Sequence, residues 1–95
     1  MNDYKSIPRN EFFVYCKRAF ESFRLSTYMT DRYLRYIEYI SQYMEDMNID
    51  YYDLNFSLAF QEKIAKADNS PNQRKSKEYS CALSLIDRFI QGLPY

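Results

Sequence analysis

Basic, hydroxyl and aromatic side chains are concentrated in two short parts of the sequence, and together they could bind phosphate groups. Residues 24–36 hold three arginines and one aspartate, and residues 70–79 hold three basic residues and one glutamate. Arginine and lysine neutralise phosphates, while serine, threonine and tyrosine hydroxyls can hydrogen-bond to them. Both parts are net positive, although the whole chain has 13 basic and 13 acidic residues. The candidate phosphate ligands are Arg24, Thr27, Tyr28, Arg32, Arg35, Arg74, Lys75 and Lys77.

Other kinds of site lack the residues that they need. The chain has no histidine, so a serine or cysteine nucleophile has no usual base beside it. A single glycine argues against a glycine-rich nucleotide loop, and two cysteines without histidine argue against structural zinc. Carboxylate pairs such as Glu45 and Asp46 are interpreted as surface charges rather than a calcium site. We therefore expect no catalytic residues, no cofactor and no metal in this chain.

The spacing of apolar residues predicts four helices and no strand. The first helix is predicted over residues 8–24, and the second runs from a polar break at residues 24–27 to about Met47. One flank of the second helix carries cations and tyrosines. The residues of this flank are Tyr28, Arg32, Arg35 and Tyr39, and the predicted core stripe is Met29, Tyr33, Tyr36, Ile37, Ile40, Met44 and Met47.

The third and fourth helices follow an acidic connection. Asp53 or Asn55 is predicted to cap the third helix, whose apolar stripe includes Phe56, Phe60 and Ile64, with Leu58 and Ala67 beside them. The fourth helix is predicted from a Ser70–Gln73 capping box to a stop at Gly92. Its first two turns contain three cations, which oppose the helix dipole. This arrangement suggests that an external anion such as a phosphate binds there.

Size and composition predict one small helical domain over residues 1–95. Apolar residues make up 46% of the chain and aromatic residues 19%, which supplies enough side-chain area for one core. The zero net charge means that any binding of nucleic acid must be local. Cys16 and Cys81 are expected to be free thiols within apolar helical patterns. The sequence shows no secretory leader and no spanning helix, so we expect a cytoplasmic protein without a membrane partner.

Roughly residues 12–92 resemble the N-terminal core-binding domain of tyrosine recombinases of the phage-integrase type. In that family the second helix carries a Tyr-x-Arg-like step, which Tyr33, Leu34 and Arg35 match here. The last helix of the family ends in a leucine, hydrophobic, phenylalanine and glycine pattern, matched by Leu83, Ile86, Phe89 and Gly92. A family threonine four residues before the tyrosine is replaced by Met29, with Thr27 and Thr30 on either side.

The resemblance implies an all-α fold of four main helices, SAM-like, that clamps one face of duplex DNA. The N-terminal ends of the second and fourth helices are where family members approach the DNA. The resemblance also implies that a separate C-terminal catalytic domain of the same polypeptide performs strand exchange, so this chain is not an enzyme by itself. Sister protomers on the DNA are a further implied partner.

A second interpretation is a helical protein-interaction or regulatory module that does not bind DNA. In that case the tyrosine and methionine side chains would pack against a partner helix. An exposed patch of Tyr28, Tyr39, Tyr43 and methionines without adjacent arginines would favour this interpretation. Added salt also distinguishes the two interpretations, because it weakens binding to DNA far more than binding in an apolar groove.

Overall fold

The computed structural model describes residues 6–92, which form four α-helices around one core. In chain order the elements are β1 (Ile7–Pro8), α1 (Arg9–Ser22), α2 (Thr27–Asp46), β2 (Tyr51–Tyr52), α3 (Leu54–Ala67), a 3-10 turn (Pro71–Gln73) and α4 (Arg74–Ile90). The radius of gyration is 12.9 Å. The predicted all-α class and the count of four main helices are confirmed. Residues 1–5, which belong to the amino-terminal segment without a predicted leader, and residues 93–95 lie outside the described residues.

The core contains side chains from all four helices and both strands. Ile37, Ile40 and Met44 of the predicted α2 stripe are buried, while Leu34 of α2 and Ile7 of β1 are buried without having been predicted. Aromatic rings connect the helices, and the Tyr36 and Tyr79 rings from α2 and α4 meet edge to face at 4.6 Å. The fully or nearly buried apolar residues are Ile7, Phe12, Cys16, Ala19, Phe20, Leu34, Ile37, Ile40, Met44, Tyr52, Phe60, Tyr79, Ala82, Leu83 and Ile86.

The prediction that the chain has no strand is wrong. Ile7 pairs with Tyr52 and Pro8 with Tyr51 in a short antiparallel ladder, and the Arg9 amide donates to the Asp50 carbonyl at 2.8 Å. Strands of two residues are too short to produce an alternating pattern in the sequence. The ladder fixes the start of α1 to the connection between α2 and α3.

A buried polar network joins β2, α3 and α4. The hydroxyls of Tyr52 and Ser57 donate to the two oxygens of Asp87 at 2.7 and 2.6 Å, and Gln61 donates to Ser57 at 2.9 Å. Burial raises the pKa of Asp87 although both hydrogen bonds oppose this shift. Burial, followed by the charge of Asp87, also raises the pKa of the Cys16 thiol. These hydrogen bonds determine which side of α4 faces α3.

The helix ends follow from residues that satisfy free backbone groups. Ser26 caps α2 by accepting from the Met29 amide at 3.1 Å, and Asp53 rather than Asn55 caps α3 by accepting from the Phe56 amide at 2.8 Å. After α1, α2 and α4, one residue adopts a left-handed conformation and its amide bonds back to the helix. These residues are Arg24, Asn48 and Gly92, and the last confirms the predicted stop of the fourth helix.

The predicted start of the fourth helix is wrong. Residues 71–73 form a 3-10 turn, α4 begins at Arg74, and Ser70 and Gln73 do not form a capping box. Asn72 and Gln73 both have a positive φ, which interrupts the helix and is costly for a residue other than glycine. A different side chain, Asp68, holds the start of α4, as described below.

Several residues placed in apolar stripes by their spacing are exposed. Met47 lies at the end of α2 and is 56% exposed, and Leu58 on α3 is 67% exposed. Ala67 and Cys81 are also on the surface, whereas Cys16 is buried, and both cysteines are free thiols. Spacing alone does not show where a helix stops contacting its neighbours, so Met47, Leu58 and Ala67 were placed in apolar stripes in error. Within residues 6–92, no helix is both long enough and apolar enough to cross a membrane.

Candidate nucleic-acid interface

An ion pair joins the predicted basic flank of α2 to α4. The Arg32 guanidinium forms a salt bridge with Glu78, and the Tyr36 hydroxyl donates to the other oxygen of the same carboxylate. Arg32 also donates to the Tyr28 hydroxyl at 3.1 Å. The hydrogen bond with Glu78 is the main reason that the pKa of Arg32 is raised. The positive charge of Arg32 is therefore already compensated within the chain.

A groove lies between α2 and the turn that leads into α4. Its volume is about 840 Å³, and its walls contain three basic residues, three tyrosine rings, two apolar residues of α3 and the polar turn at residues 68–70. We call it the tyrosine groove. Its lining residues are Arg32, Arg35, Tyr36, Tyr39, Ile64, Ala67, Asp68, Asn69, Ser70, Lys75 and Tyr79.

Two cations of the tyrosine groove are uncompensated. The side chains of Arg35 and Lys75 are exposed, and neither makes an ion pair or side-chain hydrogen bond with another residue in the range 6–92. They come from different helices, since Arg35 is on α2 and Lys75 on α4. The fold therefore brings cations from both predicted basic parts of the sequence to one groove, and it leaves them available to an external anion.

Asp68 supplies the anion that the start of α4 needs. Its carboxylate accepts hydrogen bonds from the Ser70 amide at 2.8 Å, from the Ser70 hydroxyl and from the Ser76 amide at 2.8 Å. These bonds, with that of the Ser70 hydroxyl first, lower the pKa of Asp68 to about 2. The Lys75 amide is also satisfied, because it donates to the Ser70 hydroxyl at 3.3 Å. The amides of Lys75 and Ser76 are thus satisfied within the chain, and the suggestion that an external anion binds at the start of α4 stays a prediction about the side chains there.

Arg74 and Lys77 lie on an adjoining face of α4. They line a shallow depression of about 310 Å³ together with Pro71, Asn72, Glu78 and Cys81. Glu78 therefore lies at the boundary, since it borders this depression and also binds Arg32 beside the tyrosine groove. Among the described residues, neither Arg74 nor Lys77 makes a side-chain hydrogen bond or an ion pair. The cations of α2 and α4 are on neighbouring surfaces, with one carboxylate between them.

The remaining predicted ligands lie at the start of α2. Thr27 is its first residue, Tyr28 is 68% exposed, and Arg24 is exposed at the left-handed position after α1. Arg24 and Thr27 line neither depression. Tyr28 is connected to the groove through its hydrogen bond with Arg32. The structure thus brings Arg32, Arg35 and Lys75 together, and it places Arg24 and Thr27 outside this group.

Sequence reasoning missed the acidic partners of the interface. Glu78 was counted as a charge within its own helix, yet its partner Arg32 is 46 residues away in the chain. Tyr39 was placed on the correct flank, but spacing could not indicate that it would lie beside Tyr36 and Tyr79 in one groove. For Asp68 a signal existed, since an aspartate two residues before a serine is typical of a side-chain capped turn.

Residues that could hold a metal ion are not grouped anywhere between residues 6 and 92. No cluster of three or more histidine, cysteine, aspartate or glutamate side chains occurs in that range.

Comparison with known proteins gives no relative for this chain. No family model, curated protein or solved structure matches it.

Proposed function

We propose that this chain is a DNA-binding domain that holds duplex DNA mainly through backbone phosphates, on the surface formed by α2 and the first turns of α4. The observation that carries the proposal is the position of uncompensated cations from two helices. Arg35 and Lys75 lie in one groove, and Arg74 and Lys77 lie on the adjoining face. Each phosphate contact with such a cation releases counterions and so favours binding.

The proposal extends to the family suggested by the sequence. We propose a SAM-like core-binding domain of a tyrosine recombinase, which serves DNA integration or recombination and leaves the chemistry to a separate catalytic domain. Two features support this choice: Arg35 of the Tyr33–Arg35 step lines the groove, and the last helix is followed by Gly92 in a left-handed conformation. Sister protomers on the same DNA belong to the same proposal.

The alternative of a protein-interaction module has weaker support. Exposed tyrosines without neighbouring arginines would favour it, but Tyr28 is hydrogen-bonded to Arg32, and Tyr39 lines the same groove as Arg35. Tyr43, the third tyrosine of that patch, is held against Phe60 at 5.2 Å and beside Lys63. The exposed tyrosines Tyr28 and Tyr39 therefore both lie beside arginines.

Removing one cation from each helix tests the proposal. In Arg35→Gln/Arg74→Gln, we expect weaker binding to duplexes of any sequence, because both residues are assigned to phosphates rather than bases. The slope of log affinity against log salt should flatten by about 0.9 for each lost contact. Fluorescence anisotropy with a short labelled duplex between about 50 and 200 mM salt measures both quantities.

A variant with the same change in charge provides the control. Lys17→Gln/Arg18→Gln removes two exposed cations from α1, which line neither depression. We expect its salt slope to remain that of the unaltered chain. Equal losses in the two variants, or a slope unchanged in the first, would contradict an interface on α2 and α4.

A further inference from the structure

The tyrosine groove differs in shape and chemistry from a surface that only contacts phosphates. A duplex presents a convex, charged backbone, whereas this groove is concave and has aromatic and aliphatic walls. Its volume of about 840 Å³ is within the range of pockets that enclose small organic ligands, roughly 300–1,000 Å³. Cations at the rim and rings inside are the combination by which proteins bind unpaired nucleotides.

The rings in the groove have different surroundings. Tyr79 is only 9% exposed, and its ring is held between those of Tyr36 at 4.6 Å and Phe60 at 5.7 Å. Tyr36 is also fixed by its hydrogen bond to Glu78. Tyr39, one turn further along α2, is 73% exposed, so most of its ring is open to a ligand. The exposed ring of Tyr39, on which a base could stack, therefore lies beside the fixed rings of Tyr36 and Tyr79.

The charges in the groove indicate which part of a nucleotide would enter. Asp68 lies in the lining and, like any aspartate with an ordinary or lowered pKa, is ionised at neutral pH. A phosphate placed beside it would be repelled, whereas a neutral base would not. Arg35 and Lys75 are uncompensated cations that can neutralise the phosphates on either side of that base.

We propose that the tyrosine groove binds an unpaired nucleotide of a DNA strand, with the base stacked on Tyr39 and the flanking phosphates on Arg35 and Lys75. In an intact duplex each base face is covered by its neighbours, so the groove requires a base that has left the stack. The inference builds on the proposed DNA-binding function. It adds that DNA with a single-stranded gap or end is bound more tightly than intact duplex of the same length.

The test compares two DNA ligands and two tyrosine variants. Anisotropy titrations would use an intact duplex and a duplex of the same length with a short single-stranded gap. We expect the unaltered chain to prefer the gapped DNA. Tyr39→Ala should weaken binding to the gapped DNA about five-fold or more, the lower end for one base stacked on an aromatic ring, and so reduce the preference for gapped DNA over intact duplex. Tyr51→Ala is the matched control, because Tyr51 is 55% exposed and outside the groove.

A fluorescent base reports stacking directly. With 2-aminopurine as the unpaired base, we expect its emission to be quenched by the unaltered chain and by Tyr51→Ala, but less by Tyr39→Ala. The chain has no tryptophan, so its own emission does not interfere when the base is excited beyond tyrosine absorption.

The possible outcomes separate this inference from the proposed function. Equal affinity for both DNAs, with no effect of Tyr39→Ala, would overturn the groove as a nucleotide site and leave duplex binding intact. Binding to gapped DNA without measurable binding to the duplex would support the groove and overturn the duplex clamp. If neither DNA binds at low salt, both proposals fail.

Discussion

Glu78 acts as an internal substitute for a phosphate. Its carboxylate receives hydrogen bonds from Arg32 and Tyr36, the same kinds of group that bind a phosphate oxygen. Because the pair is partly exposed, it adds little to fold stability. Its larger effect is on charge, since it compensates one of the two arginines in the groove. Glu78 thus sets how strongly the α2 side of the interface attracts a polyanion.

Removing the negative charge of Glu78 should free Arg32 to bind a phosphate. In Glu78→Gln, the amide keeps the shape of the side chain and can still accept from Tyr36, but Arg32 is no longer neutralised. We expect tighter duplex binding and a salt slope steeper by about 0.9, as for one added phosphate contact. Anisotropy titrations across a salt series measure both.

Glu62→Gln is the control for that measurement. It removes the same charge from an exposed pair on α3, in which Glu62 and Lys66 lie 3.0 Å apart. We expect its slope to stay unchanged. A similar rise in affinity in both variants would mean that net charge alone, and not the release of Arg32, determines the binding.

At the scale of elements, the turn between α3 and α4 is held by one carboxylate. Asp68 binds the amides of Ser70 and Ser76, and so it connects the residues before and after the 3-10 turn. The turn includes two residues with positive φ, Asn72 and Gln73, whose conformation must be stabilised by contacts around them. The position of Lys75 in the groove therefore depends on Asp68.

A pH dependence is expected from this contact. The folded chain holds the pKa of Asp68 at about 2, below its ordinary value of 3.8, so the carboxylate stabilises the fold at neutral pH. That contribution is lost as the pH falls from about 4 to about 2. Asp68→Asn should have a lower free energy of unfolding than the unaltered chain at neutral pH. The difference between the two free energies should narrow as the pH falls from about 4 to about 2. Urea denaturation at several pH values measures both free energies of unfolding. A difference that stays constant with pH would contradict the stabilising role of the Asp68 carboxylate.

Most of the fold could be predicted from the sequence, because helical periodicity is local. The stripe of Ile37, Ile40 and Met44 is buried as predicted, and all four helices exist. The missing contacts join residues that are far apart in the chain. Asp87 meets Tyr52 and Ser57 across 35 and 30 residues, and no spacing rule indicates such a partner.

The candidate site was predictable to a lesser extent. The spacing of Tyr28, Arg32, Arg35 and Tyr39 gave the basic flank of α2, and Arg32, Arg35 and Tyr39 do line the groove. The separation of Lys75 from Arg74 and Lys77 depends on where α4 begins. That start was assigned to the wrong residue, so the faces of the first turns could not be derived.

At the scale of the whole molecule, one of the two cysteine thiols lies on the surface and the other lies in the core. Cys81 is exposed, whereas Cys16 is fully buried, and burial raises the pKa of the Cys16 thiol. We expect one thiol to react rapidly with a chromogenic disulfide reagent in the folded protein, and the second to react only when urea unfolds the chain. Cys81→Ser should abolish the rapid phase. Two rapid thiols under folding conditions would contradict the packing of α1.

The ladder between Ile7–Pro8 and Tyr51–Tyr52 has a mechanical consequence. Tension applied to the chain at Ile7 passes through the backbone bonds of the ladder into β2. From there the Tyr52 hydroxyl transmits it to Asp87 in α4. This route bypasses α1 and α2, although both lie between these strands in the chain. The amino-terminal strand is thus connected to the last helix by a backbone ladder and one side-chain hydrogen bond, in addition to the covalent chain.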